Sequence, residues 1–116
     1  MKFAKFTTID DKEFYVNPTY VVVIMPQEET TVIVAHYGQF RVKHPLEEVV
    51  SCFEGFVQFT NFSNDKEFYI NPTYVAEIVS NSEDNTTIIS HQGEFTVGMS
   101  IDETSAYLNE GLEKLS

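Results

Sequence analysis

Two stretches of this chain are nearly the same. Residues 11–21 read DKEFYVNPTYV and residues 65–75 read DKEFYINPTYV, and the single difference sets Val16 against Ile70. The match extends outward. Phe3, Phe6 and Thr7 correspond to Phe56, Phe59 and Thr60, with Asn64 an extra residue in the second turn. TVIVAHYGQFRV at 31–42 aligns with TTIISHQGEFTV at 86–97, and LEE at 46–48 aligns with IDE at 101–103. The repeating unit is about 55 residues, so the chain divides into 1–55 and 56–116, two copies and nothing else. Two copies are too few for a solenoid, whose terminal faces need caps. The pattern instead predicts a pseudo-twofold pair, in effect a homodimer fused into one chain.

Within each copy the hydrophobic period is two. Phe14 and Val16 fall on one strand face, Tyr15 and Asn17 on the other. Pro18 has no N–H to give a ladder, so Asn17-Pro18-Thr19 predicts a corner. Residues 21–25 form an unbroken apolar run, the mark of a central strand. Gly38 and Gly93 sit at the tips of short connections, where a hairpin needs positive φ. A helix closes each copy. Leu46, Val49, Val50 and Phe53 form one stripe. Ile101, Thr104, Leu108, Leu112 and Leu115 form the other, behind a capping box at Ser100 and Glu103. The fold class expected is α+β, with two tandem units of five antiparallel strands and a C-terminal helix.

One family resemblance follows from these residues. Lys12, Glu13, Phe14, Asn17, Val21, Ile24, Thr31, Ile33, Gly38, Val42, Glu47 and Glu48 stand in the order and spacing of the small flagellar FlbD (SwrD) type of protein, which each copy resembles over about its whole length. The resemblance implies a small β-rich protein of bacterial or phage origin that works by association. It supplies no catalytic residues.

Charge directs the functional expectation. The formal net charge is −11. Residues 1–55 hold five Lys/Arg against eight Asp/Glu, and residues 56–116 hold two against ten. Such a chain is repelled by phosphates and drawn to basic protein surfaces. The reading is therefore a non-enzymatic, acidic protein-binding module, in its sharpest form a phage-encoded inhibitor or DNA mimic, with no direct nucleic-acid binding. Glu77, Glu83, Asp84, Glu94, Asp102, Glu103 and Glu110 are the candidate contacts. The alternative is a small-molecule sponge or carrier with its pocket between the repeats. A single cysteine, with no long apolar run, points to the cytoplasm and not to a membrane.

Other candidates are fewer. His36 and His91 occupy equivalent places beside the hairpin glycines, but two imidazoles without further ligands are more consistent with strand residues than with a metal site. No cofactor is expected. Cys52 is expected to be a small buried residue. Tyr15, Asn17 and Tyr20, with their copies Tyr69, Asn71 and Tyr74, are expected to form the interface between repeats, where tyrosine contributes area and a hydroxyl. Self-association through the same kind of surface is compatible with this reading.

Overall fold

A computed structural model describes residues 2–115. The strands run β1 (Ala4–Thr7), β2 (Glu13–Val16), β3 (Val21–Gln27), β4 (Thr30–Ala35) and β5 (Gly38–Val42), followed by α1 (Leu46–Val50). The same order recurs as β6 (Val57–Thr60), β7 (Glu67–Ile70), β8 (Val75–Ser82), β9 (Asn85–Ser90), β10 (Gly93–Val97) and α2 (Ile101–Leu115). In both copies the Asn-Pro-Thr-Tyr segment makes one 3-10 turn. The asparagine side chain caps it by accepting the N–H of the threonine two residues on, at 3.0 Å.

The element order repeats, but the expected α+β arrangement of two self-contained five-stranded units does not form. Among the described residues the molecule is mostly β, in three antiparallel sheets. A five-stranded sheet has the order β5-β4-β3-β7-β6, a two-stranded sheet holds β1-β2, and a three-stranded sheet has the order β10-β9-β8. The large sheet thus crosses from one copy to the other through β3 and β7, with Val23 opposite Ile70 and Ile24 opposite Tyr69. The expected twofold also fails. A twofold would repeat this contact between β8 and β2, and among the described residues β8 pairs only with β9 and β2 only with β1.

The physical cause lies in β3. β3 and β8 share a register shift at equivalent places, between Val21 and Val23 and between Val75 and Glu77, and in β3 the residues around it let the two faces serve different cores. Val21 and Ile24 pack with Phe6, Val16, Ile33, Val42, Val49 and Phe53. Val22 and Val23 pack instead among Phe59, Phe68, Ile70, Ile88 and Val97 of the second copy. Burying two valines there contributes about 3–6 kcal/mol before entropy. At the equivalent places β8 carries Ala76 and Glu77, both exposed, so it remains an edge strand.

Each copy fastens its last loop with a buried threonine. Thr31 donates its hydroxyl to the His44 carbonyl at 2.8 Å, and Thr86 does the same to Met99 at 2.9 Å. The helices then differ. α1 has one turn and a half, and Phe53 reaches the core from the turn that follows it. α2 has four turns. Ser100 accepts the Glu103 N–H at 3.2 Å as expected, while the Glu103 carboxylate takes the serine hydroxyl and not the serine N–H. The buried stripe of α2 runs through Thr104, Leu108 and Gly111, and leaves Leu112 42% exposed. Gly111 faces inward because the helix lies against the Gly55 carbonyl and Val57, too close for a Cβ.

Candidate functional site

The surface offers three places where side chains converge. The first is the junction of the copies. Asn71, 3% exposed, donates its side-chain amide to the Val21 carbonyl at 3.0 Å, and its backbone N–H goes to the Val22 carbonyl at 2.8 Å. The Tyr74 hydroxyl donates to the Thr19 carbonyl. Tyr69 is half-buried opposite Ile24. Burial pushes its phenol pKa up, and the Glu67 and Glu47 carboxylates add to the rise.

The first-copy members of the proposed interface set are placed differently. Tyr15 is 64% exposed on the outer edge of β2, Asn17 caps its own turn, and Tyr20 lies edge-on to His36. His36 and His91 do come together at this junction, with ring centroids 5.5 Å apart, beside Tyr74. Among the described residues no group of three or more His, Cys, Asp or Glu could hold a metal ion.

The second place is a face of the first copy that sequence reading did not assemble. The β1–β2 turn folds against the end of β5, where the Ile9 N–H meets the Arg41 carbonyl and the Lys43 N–H meets the Thr7 carbonyl. This sets the turn that carries Lys12 beside the strand end that carries Arg41 and Lys43, with the Arg41 guanidinium also donating to the Thr30 hydroxyl at 2.8 Å. Lys43 pairs with Asp11 and Arg41 pairs with Glu28 at 3.7 Å, all on exposed or half-exposed side chains. Asp10, held by the Thr8 hydroxyl, has its carboxyl pKa lowered. Asp11 and its copy Asp65 both adopt positive φ, which fixes these turns. A signal for this face was present in the sequence, since Arg41 and Lys43 have Thr96 and Gly98 as counterparts.

The seven acidic candidates are all exposed but do not share one element. Glu77 is on β8, Glu83 and Asp84 are at the β8–β9 turn, Glu94 is on β10, and Asp102, Glu103 and Glu110 are on α2. Glu110 is paired with Lys114 at 3.6 Å.

The third place is an open groove of about 890 Å³ lined by β6, the β6–β7 turn, the end of β10 and α2. It lies within the second copy, not between the repeats, where Asn71 and Tyr74 fill the space instead. Cys52, expected to be buried, is exposed after α1, and its thiol lies 3.8 Å from the Glu48 carbonyl.

No protein-family model and no curated protein matches the chain. The structure is similar to the LytTr DNA-binding domain of a Bacillus cereus response regulator, with a TM-score of 0.67 over 97% of each chain and 15% sequence identity. The likeness defines the class of fold as LytTr-like. It overturns the expectations of an acidic protein-binding module, an inhibitor, a DNA mimic or a carrier, and with them the exclusion of nucleic acid as a partner. That exclusion used the net charge, which is a sum over the chain. Phosphate contact depends on where the cations lie, and here they gather on one copy.

Proposed function

We propose that this chain is a non-catalytic DNA-binding domain that acts in the cytoplasm and meets the duplex with the face of the first copy carrying Lys12, Arg41 and Lys43. The single observation behind this reading is the likeness, over nearly all of both chains, to a domain described as binding DNA. Fold alone does not fix function, so the charge distribution supplies the second argument. Five of the seven Lys/Arg belong to residues 1–55. Exposed ion pairs such as Lys43–Asp11 are worth about 0–1 kcal/mol, so a phosphate can replace the carboxylate at small cost. The second copy, with ten carboxylates, faces away from the phosphates in this arrangement.

The acidity sets the form of the binding. About three phosphate contacts give a log–log salt slope near −3, well below that of a basic domain with a broad footprint. Fluorescence anisotropy with a pool of mixed-sequence duplexes, from low to physiological salt, tests this. Binding that weakens with about that slope, and loses about one unit of slope in Lys12→Ala or Lys43→Ala, is the expected result. Absence of binding at the lowest salt, or binding unchanged in both variants, refutes the reading.

A further inference from the structure

The two copies treat one backbone position differently. In the first copy, Thr7 ends β1 with its N–H and C=O pointing away from β2. Both groups are satisfied: the N–H donates to His44 Nε2 at 3.1 Å and the C=O accepts the Lys43 N–H at 3.0 Å. The imidazole stands edge-on to Phe6, with ring centroids 5.4 Å apart. Because Nε2 accepts, the ring proton is on Nδ1, facing Glu48 Oε1 at 3.2 Å. The first copy thus fills the space beside its first strand with its own aromatic nitrogen heterocycle.

The second copy keeps the frame and lacks the filling. Thr60 and Phe59 are the counterparts of Thr7 and Phe6, but Met99 replaces His44 and Gly98 replaces Lys43. A thioether is a weak acceptor; the bridge between Asn61 and Val97 keeps the Thr60 C=O on the Gly98 N–H, and among the described residues only the outward N–H of Thr60 lacks the acceptor that His44 gives Thr7. The space beside it is the groove of about 890 Å³. Phe59, Phe62 and Tyr107 wall it, with Tyr107 edge-on to Phe59 at 6.3 Å. The bare Gly98 lets the Phe62 ring lie over the backbone, where a Cβ would stand 3.2 Å from it.

We propose that this groove binds a small aromatic nitrogen heterocycle of the imidazole or benzimidazole class. Its pyridine-type nitrogen accepts the Thr60 N–H and its ring lies among Phe59, Phe62 and Tyr107, as the His44 ring does against Phe6. Asp65 and Glu110 line the same groove and supply carboxylates for the ligand's second, protonated nitrogen. The volume exceeds one imidazole and accommodates a fused bicycle, within the range of small-molecule pockets. The proposal is independent of DNA binding, because it concerns the opposite copy.

Titration of the full chain with benzimidazole, followed by two-dimensional amide NMR, tests it. The expected result is a saturable downfield shift of the Thr60 amide. Indene, the same shape without nitrogen, is expected to leave that amide in place at equal concentration. Met99→His, which rebuilds the first-copy arrangement, is expected to weaken benzimidazole binding at least tenfold. No saturable shift at Thr60 with millimolar benzimidazole overturns the proposal. An equal response to indene overturns it too, and this measurement on the unaltered chain decides even where Met99→His fails to fold.

Discussion

Asn17 and Asn71 lie in the same local sequence and make the same local turn, yet their removal should cost different amounts. Each side-chain carbonyl accepts the N–H of a threonine at 3.0 Å, and losing such a cap costs about 1 kcal/mol. For Asn17→Ala that is nearly the whole effect. Asn71→Ala also takes a donor from the Val21 carbonyl, whose residue has no exposed surface. A buried acceptor left without its donor adds about 1–3 kcal/mol. The expected losses are thus about 1 kcal/mol for Asn17→Ala and about 2–4 kcal/mol for Asn71→Ala. Equilibrium urea unfolding followed by far-ultraviolet circular dichroism measures both, since the chain has no tryptophan. With an m-value of about 1–2 kcal/mol/M, the two midpoints should separate by about 0.5–3 M. Asn71→Asp refines the test, because it keeps the acceptor for Thr73 and removes only the donor to Val21. It should be at least as damaging as Asn71→Ala at neutral pH. Equal midpoint shifts for Asn17→Ala and Asn71→Ala, within about 0.5 kcal/mol, would falsify the claim that this amide joins the copies.

Three further outcomes follow from the packing. Gly111→Ala should destabilise by about 1–3 kcal/mol, although alanine is the better helix former by about 1 kcal/mol, because its Cβ would meet the Gly55 carbonyl at 2.6 Å and the Val57 side chain; a melting temperature at or above that of the parent chain would contradict the close approach of α2. His44→Ala should cost about 1–2 kcal/mol by leaving the Thr7 N–H without its acceptor, and the matching Met99→Ala should not disturb the Thr60 amide resonance. Folded-state burial raises the Tyr69 phenol, so its contribution is fully present below the unfolded pKa of about 10 and is lost as pH rises through the higher folded value; urea midpoints at alkaline pH should therefore fall less in Tyr69→Phe than in the parent.

How much of this was legible in the sequence varies by level. The strands were legible because a period of two is a local property, and so were the proline turns and hairpin glycines. Strand pairing across the copies was not legible, because β2 and β7 differ by one conservative residue and carry no local sign of which one gains a neighbour. The sign was on the other strand. Val22 and Val23 become Ala76 and Glu77, and that change marks β3 as covered on both sides and β8 as bare. The stripe of α2 was read one residue off at Leu112, because periodicity favours a leucine over the adjacent Gly111, and only the close approach to Gly55 selects the glycine. The cationic face escaped notice because Lys12 lies about 30 residues from Arg41 and Lys43 and a net charge carries no positions.

The same change bears on how copies of this unit can join. The junction is head to tail, not twofold: the first copy gives β3 and the second gives β7. Such a contact leaves a β3-type edge free at one end, on β8, and a β7-type edge free at the other, on β2. A further copy could in principle add at either end, in the register of Val23 with Ile70. It would then place Glu77 where Val23 stands, inside a core built from residues such as Phe59 and Ile70. Burying that carboxylate without a partner costs several kcal/mol, more than the valine contributes in the real junction. The exposed glutamate on β8 therefore blunts an edge that the repeat itself would otherwise extend. The acidity of the second copy, read at first as a surface for a partner, is at this position a barrier against copies of its own chain.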